Sequence, residues 1–159
     1  MPWIELSLED IITESKILIE KEFNREISAR VFVSTKEELI NMTLKKLETR
    51  NYHQKEIDFA KKYLLPKIIG KYFPETNEIW LVTGKGTNRD IIIHEMLHSI
   101  RKCQNHQEGI VDYIKYKLTK NKKYISDYDL NDWLRIEKTY SWQVIKRRML
   151  TEGDCEEFD

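Results

Sequence analysis

The ten residues from Ile91 to Ile100 read I-I-I-H-E-M-L-H-S-I, and they constrain the rest of the chain more than any other stretch. Ile93, Leu97 and Ile100, with Ile92 and Met96 beside them, recur at helical spacing and form one apolar face. A helix so apolar on one side has to lie against a core. His94 and His98 fall one turn apart on the other side, where both imidazoles can reach a single zinc ion. Glu95, one residue round, can stand beside a water at that ion as general base. The fold must therefore bury one face of this helix and open the other to a cleft.

The flanking sequence supplies both helices and strands. Ser7-Leu8-Glu9-Asp10 is a helix start, continued at helical spacing by Ile11, Ile12, Leu18, Ile19 and Phe23. Residues 27–33 alternate with period two and predict a strand. Ser34 or Thr35 can cap a second helix reaching about Glu48, and a third is expected from His53 to Leu65, ending at Pro66. Its inward residues would be Ile57, Phe59, Ala60, Tyr63 and Leu64.

Lys67 to Phe73, the turn residues 74–77 and Glu78 to Val82 predict a hairpin directly before the histidine helix. Gly84 and Gly86 lie in a turn, since the full glycine spacing and Lys-Ser/Thr ending of a phosphate loop are missing. Another helix is expected from Asn105 to Lys120, and residues 130–150 are helical in two pieces, with Trp133, Leu134, Tyr140, Val144 and Ile145 inward. The expected class is α+β.

Composition limits the partners. The chain has 159 residues, room for one domain with a real core over residues 1–151, followed by an acidic tail at 152–159. Lys plus Arg and Asp plus Glu both total 27, so overall charge points to neither nucleic acid nor membrane. The lysines at 115, 117, 120, 122 and 123 lack any glycine or aromatic scaffold for reading bases and are expected to form a solvated patch. The start, Met-Pro-Trp-Ile-Glu, has no basic-then-apolar secretory pattern, and Cys103 and Cys155 are too few for a disulfide framework. A reducing, cytoplasmic location is the expectation.

Catalytic zinc sites usually have three protein ligands and one open position. His106, Cys103 and Glu108 are the candidates for the third. Metzincins require Gly three and His six residues after the second histidine; here those positions are Arg101 and Gln104, which excludes that family. Glu108 opens E-G-I-V-D-Y-I, and H-E-M-x-H followed by this run is similar to the basic secretory protein family of plant and bacterial peptidases. More broadly, residues 66–117 resemble the gluzincins, and the order of elements resembles the compact minigluzincins. The interval from His98 to Glu108 is shorter than gluzincins usually carry.

The resemblance implies a zincin-like fold with a small mixed sheet, an active-site helix, a glutamate helix and a helical C-terminal part. It also implies one zinc per chain on His94, His98 and Glu108, with Glu95 as base. Asp112, one turn after Glu108, would orient a ligand histidine from behind. The other reading of Glu108 is the third residue of a capping box begun by Asn105.

The activity so implied is hydrolysis of a peptide or protein substrate by a metal-activated water. Tyr124, Tyr128 and Tyr140 are candidates to stabilise the oxyanion, and the strand around Trp80 is a candidate edge for an extended peptide. A zinc hydrolase of another substrate and a regulatory zinc module without turnover are the alternatives. The tail, with its carboxylates and Cys155, is either a solubilising extension or a brake that fills the open zinc position.

Overall fold

The computed structural model describes residues 7–84, 88–102 and 108–153. The elements in order are α1 (Leu8–Phe23), β1 (Arg30–Ser34), α2 (Lys36–Thr49), α3 (Gln54–Phe59), β2 (Gly70–Phe73), β3 (Glu78–Val82), α4 (Arg89–Ile100), α5 (Gly109–Thr119), α6 (Asp127–Tyr140) and α7 (Trp142–Leu150). The class is α+β, as expected. Local chemistry sets most helix starts. Ser7 and Asp10 form a reciprocal capping box at α1, and Thr35, Asn88, Ser126 and Ser141 each accept a first-turn N–H at α2, α4, α6 and α7.

The sheet has the order β1-β3-β2, with β1 parallel and β2 antiparallel to β3. Side chains alternate across β3. Ile79 and Leu81 enter the main core with Ile92, Ile93, Met96 and Leu97 of α4 and Ile19 and Phe23 of α1. Trp80 and Val82 point the other way, into a smaller cluster with Leu39 of α2 and Phe73. Helices α5, α6 and α7 extend the main core through Ile110, Ile114, Trp133, Ile145 and Met149. Among the described residues, no helix is long and apolar enough to cross a membrane.

Several expectations are corrected. The third helix does not run unbroken to Leu65: it passes at Ala60 into a π turn (Ala60–Leu64) and then a 3-10 turn (Leu65–Lys67) that contains Pro66. The wider π turn rotates the following residues about the axis. Ile57, Ala60 and Leu65 are buried, whereas Phe59, Tyr63 and Leu64 are more than half exposed. In α6 the inward stripe is Leu130, Trp133 and Ile136, which leaves Leu134 one position off it and 42% exposed. The strand carrying Trp80 is central, not an edge, because β1 takes its second side. The lysine run is not uniformly solvated: Lys115 is buried against Tyr124, and Lys117 pairs with Glu137 at 3.0 Å. Residues 154–159, which hold most of the acidic tail and Cys155, lie outside the described residues.

Candidate metal centre and cleft

Helix α4 meets the demand its sequence makes. Ile92, Ile93, Met96, Leu97 and Ile100 are all buried, and this fixes the rotation of the helix so that His94, Glu95 and His98 face outward. Asn88 sets its first turn by accepting the Ile91 N–H at 3.2 Å. The hairpin lies across this outward face. Gly70, the first residue of β2, comes so close that a Cβ there would stand 3.1 Å from Ile91 Cγ2 and 3.3 Å from Glu95 Cγ.

Helix α5 supplies the third donor. It begins at Gly109, with Glu108 in the N-cap position, and the Glu108 side chain makes no capping bond. The capping-box reading with Glu108 as its third residue is therefore incorrect. Its carboxylate turns toward the histidines, Oε2 lying 2.8 Å from His98 Nε2 and 3.1 Å from His94 Nε2. The two Nε2 atoms are themselves 3.0 Å apart. The short interval between His98 and Glu108 is thus long enough to bring the glutamate back to the helix.

These three atoms form a nearly equilateral triangle. Zinc bonds of about 2.0–2.1 Å in tetrahedral geometry require donors about 3.3 Å apart, so the donor set fits after an expansion of a few tenths of an ångström. Among the described residues this is the group of His and carboxylate side chains able to hold a metal ion. Cys103 and His106, the other candidates, lie outside the described residues, as does Asn105.

The electrostatics of the donors agree with their geometry. Burial opposes charge on His94, but Asp112 and Glu108 beside it prevail and raise its pKa to about 9. For Glu108, burial acts to raise the pKa, but the two imidazoles outweigh it and hold the carboxyl well below the usual range. Both shifts record imidazole–carboxylate pairing, so a cation binding here competes with a proton.

Behind the triangle, Asp112 Oδ1 stands 3.4 Å from His94 Nδ1. This is an ionic contact and not an aligned hydrogen bond, since buried Nδ1 has no hydrogen-bond partner. A small rotation of the carboxylate would complete the bond and fix the tautomer with Nε2 free for metal. The same oxygen lies 3.6 Å from Lys115 Nζ.

Glu95 makes no hydrogen bond or ion pair among the described residues, and it lines both of two adjoining cavities. The larger, about 660 Å³, has His94, Glu95, His98 and Glu108 on one side and residues 70–74 of β2 and its turn on another. The smaller, about 350 Å³, shares Gly70, His94 and Glu95 with it and ends at Asp90, Lys115 and Tyr124. Of the three tyrosines singled out, Tyr124 alone borders either cavity, and its hydroxyl accepts from Asn88 Nδ2 at 3.2 Å. Tyr128 is 80% exposed on α6, and Tyr140 packs against the main core.

Gly70 and Lys115 escaped the sequence reading. A glycine inside an otherwise β-rich run was the available signal for the first, because it marks close approach of another group to the strand. Lys115 had the helical spacing of the buried residues Val111 and Ile114 around it, but its charge placed it with the surface lysines. Comparison of the chain with family models, curated proteins and solved structures yields no match.

Proposed function

We propose that this chain is a zinc-dependent peptidase of the gluzincin kind, with a zincin-like arrangement of sheet, active-site helix and glutamate helix. One observation carries the reading: three convergent donors form the floor of a cleft whose wall is a strand with a free edge. Strand β2 pairs only with β3 among the described residues, and its outer edge borders the cavity that holds the donors. An extended peptide can add to such an edge through main-chain hydrogen bonds, which favours a peptide over a small ester or sugar. The edge for substrate is therefore assigned to β2, in place of the strand around Trp80.

His94, His98 and Glu108 would hold the zinc, which supplies Lewis acidity toward water and the scissile carbonyl. Glu95, with no competing hydrogen-bond or ionic partner among the described residues, would accept the proton of the attacking water on its carboxylate and return it to the nitrogen of the departing amine. Asp112 holds the His94 ring from behind. Of the three tyrosines, Tyr124 is retained as the candidate donor to developing negative charge, its oxygen accepting from Asn88 and leaving its own proton available.

The test is digestion of a peptide library by zinc-loaded wild type, by metal-stripped protein and by Glu95→Gln. Wild type should cleave, stripping should abolish cleavage, and Glu95→Gln should keep its zinc without turning over. Undiminished cleavage by stripped protein or by Glu95→Gln would remove this reading.

A further inference from the structure

Lys115 occupies an unusual position for a lysine. It is 5% exposed, on α5 one turn beyond Asp112, and it lines the smaller cavity. An ammonium carries three donors, and their burial is costly without acceptors. Among the described residues the Lys115 ammonium makes no full hydrogen bond. Its ionic contact is Asp112 Oδ1 at 3.6 Å, and the Tyr124 ring lies beneath it at 5.1 Å. The same Asp112 oxygen also faces His94 Nδ1, at 3.4 Å.

The other charged groups on the cavity wall do not satisfy it. Asp90 Oδ2 accepts from Asn121, and Asp90 Oδ1 is sealed from solvent without a hydrogen-bond partner. Lys67, from the chain before β2, adds a second positive charge. Glu95 borders the cavity on the side of the metal donors.

We infer that the smaller cavity is a specificity pocket in which Lys115 binds a carboxylate of the substrate, carried by a residue next to the scissile bond. The inference rests on the peptidase reading and narrows it to acidic substrates. The pocket shares His94, Glu95 and Gly70 with the main cleft, so a peptide whose carbonyl lies at the metal donors has a neighbouring residue at its mouth. The carboxylate can come from a glutamate or aspartate side chain or from the free C-terminus of the peptide. A charge-assisted bond to a desolvated ammonium discriminates against the neutral isostere by about ten-fold or more.

Peptides of one sequence, with Glu, Gln or Leu at each position in turn, would be measured for turnover by wild type and for binding to Glu95→Gln. A second set would end in free acid or in amide. The expected result is one position at which Glu exceeds Gln and Leu by about ten-fold, or a similar preference for the free acid, and the two outcomes identify the source. Lys115→Met keeps the buried stem and should erase the preference while sparing the Gln and Leu peptides; Lys115→Arg, if folded by thermal melt, should retain it. Equal handling of Glu and Gln together with acid and amide would overturn the inference, as would a preference that survives in Lys115→Met. A Glu preference in binding without cleavage would uphold the pocket and remove the peptidase reading, whereas cleavage without preference would do the reverse.

Discussion

Replacing Gly70 with alanine presses a methyl group against the stem of Glu95, whose carboxylate the proposed reaction depends on. The new Cβ would lie 3.1 Å from Ile91 Cγ2, 3.3 Å from Glu95 Cγ and 3.4 Å from Leu81 Cδ2. Carbon atoms pack best at about 3.5–4.0 Å, so Ile91 must yield by about 0.4 Å and Glu95 by about 0.2–0.3 Å. Overpacking of this size costs about 1–3 kcal/mol, and the lost freedom of the unfolded chain returns about 0.4–1 kcal/mol. A net loss of about 1 kcal/mol should lower Tm by about 2–4 °C.

The catalytic consequence should be larger than the structural one. A misplacement of 1 Å in a reacting group costs about 100-fold, so a displacement of about a third of that corresponds to about five-fold in kcat. The assay is kcat and KM on one peptide, with zinc content and a thermal melt on the same preparation. Zinc content should not change, because the methyl group meets Glu95 and not the donor atoms. A lowered Tm with unchanged kcat would refute the placement of Glu95 at the reacting centre. No change in either would refute the close packing of β2 on α4.

Three further substitutions separate the roles of neighbouring groups. Glu108→Gln should weaken zinc binding in a metal-competition titration yet leave the melting of metal-free protein nearly unchanged, since the side chain makes no capping bond to α5 among the described residues; unaltered affinity would reject it as a ligand. Asp112→Asn should reduce zinc affinity or turnover by about 10- to 100-fold, and a loss as complete as that of His94→Ala would make it more than a support. Glu22 accepts hydrogen bonds from Lys146 and Trp142, both at 2.9 Å, and these hold its carboxyl below the usual range. With the folded value lowered, its contribution is present above the ordinary glutamate range and is lost as the pH falls from that range through the lowered folded value. Urea midpoints across that range should therefore fall more steeply for wild type than for Glu22→Gln, and parallel slopes would contradict the assignment.

The centre of this molecule could be read from sequence because its determinants are local. His94 and His98 one turn apart and an apolar face opposite are properties of a single helix, and packing had only to supply the core they require. Capping residues likewise placed the starts of α1 and α2, and turn residues between two β-rich runs placed the hairpin. Strand order was not local. The parallel pairing of β1 with β3 joins segments more than forty residues apart, and nothing in the Trp80 strand alone shows that both its edges are taken. The π turn at Ala60 replaced an α-helical register that the periodicity of Ile57 to Leu64 had favoured. Lys115 looked like surface because charge is the strongest guide to exposure, and its burial depends on α5 packing beside Tyr124.

The central claim is that two imidazoles and one carboxylate hold a zinc ion with a position left open. X-ray absorption on zinc-loaded protein tests it at the metal itself. The account predicts about one zinc per chain, a first shell of nitrogen and oxygen only at about 2.0–2.1 Å, and the scattering of two imidazoles. A sulfur shell at about 2.3 Å, a third imidazole or the absence of bound zinc would contradict it.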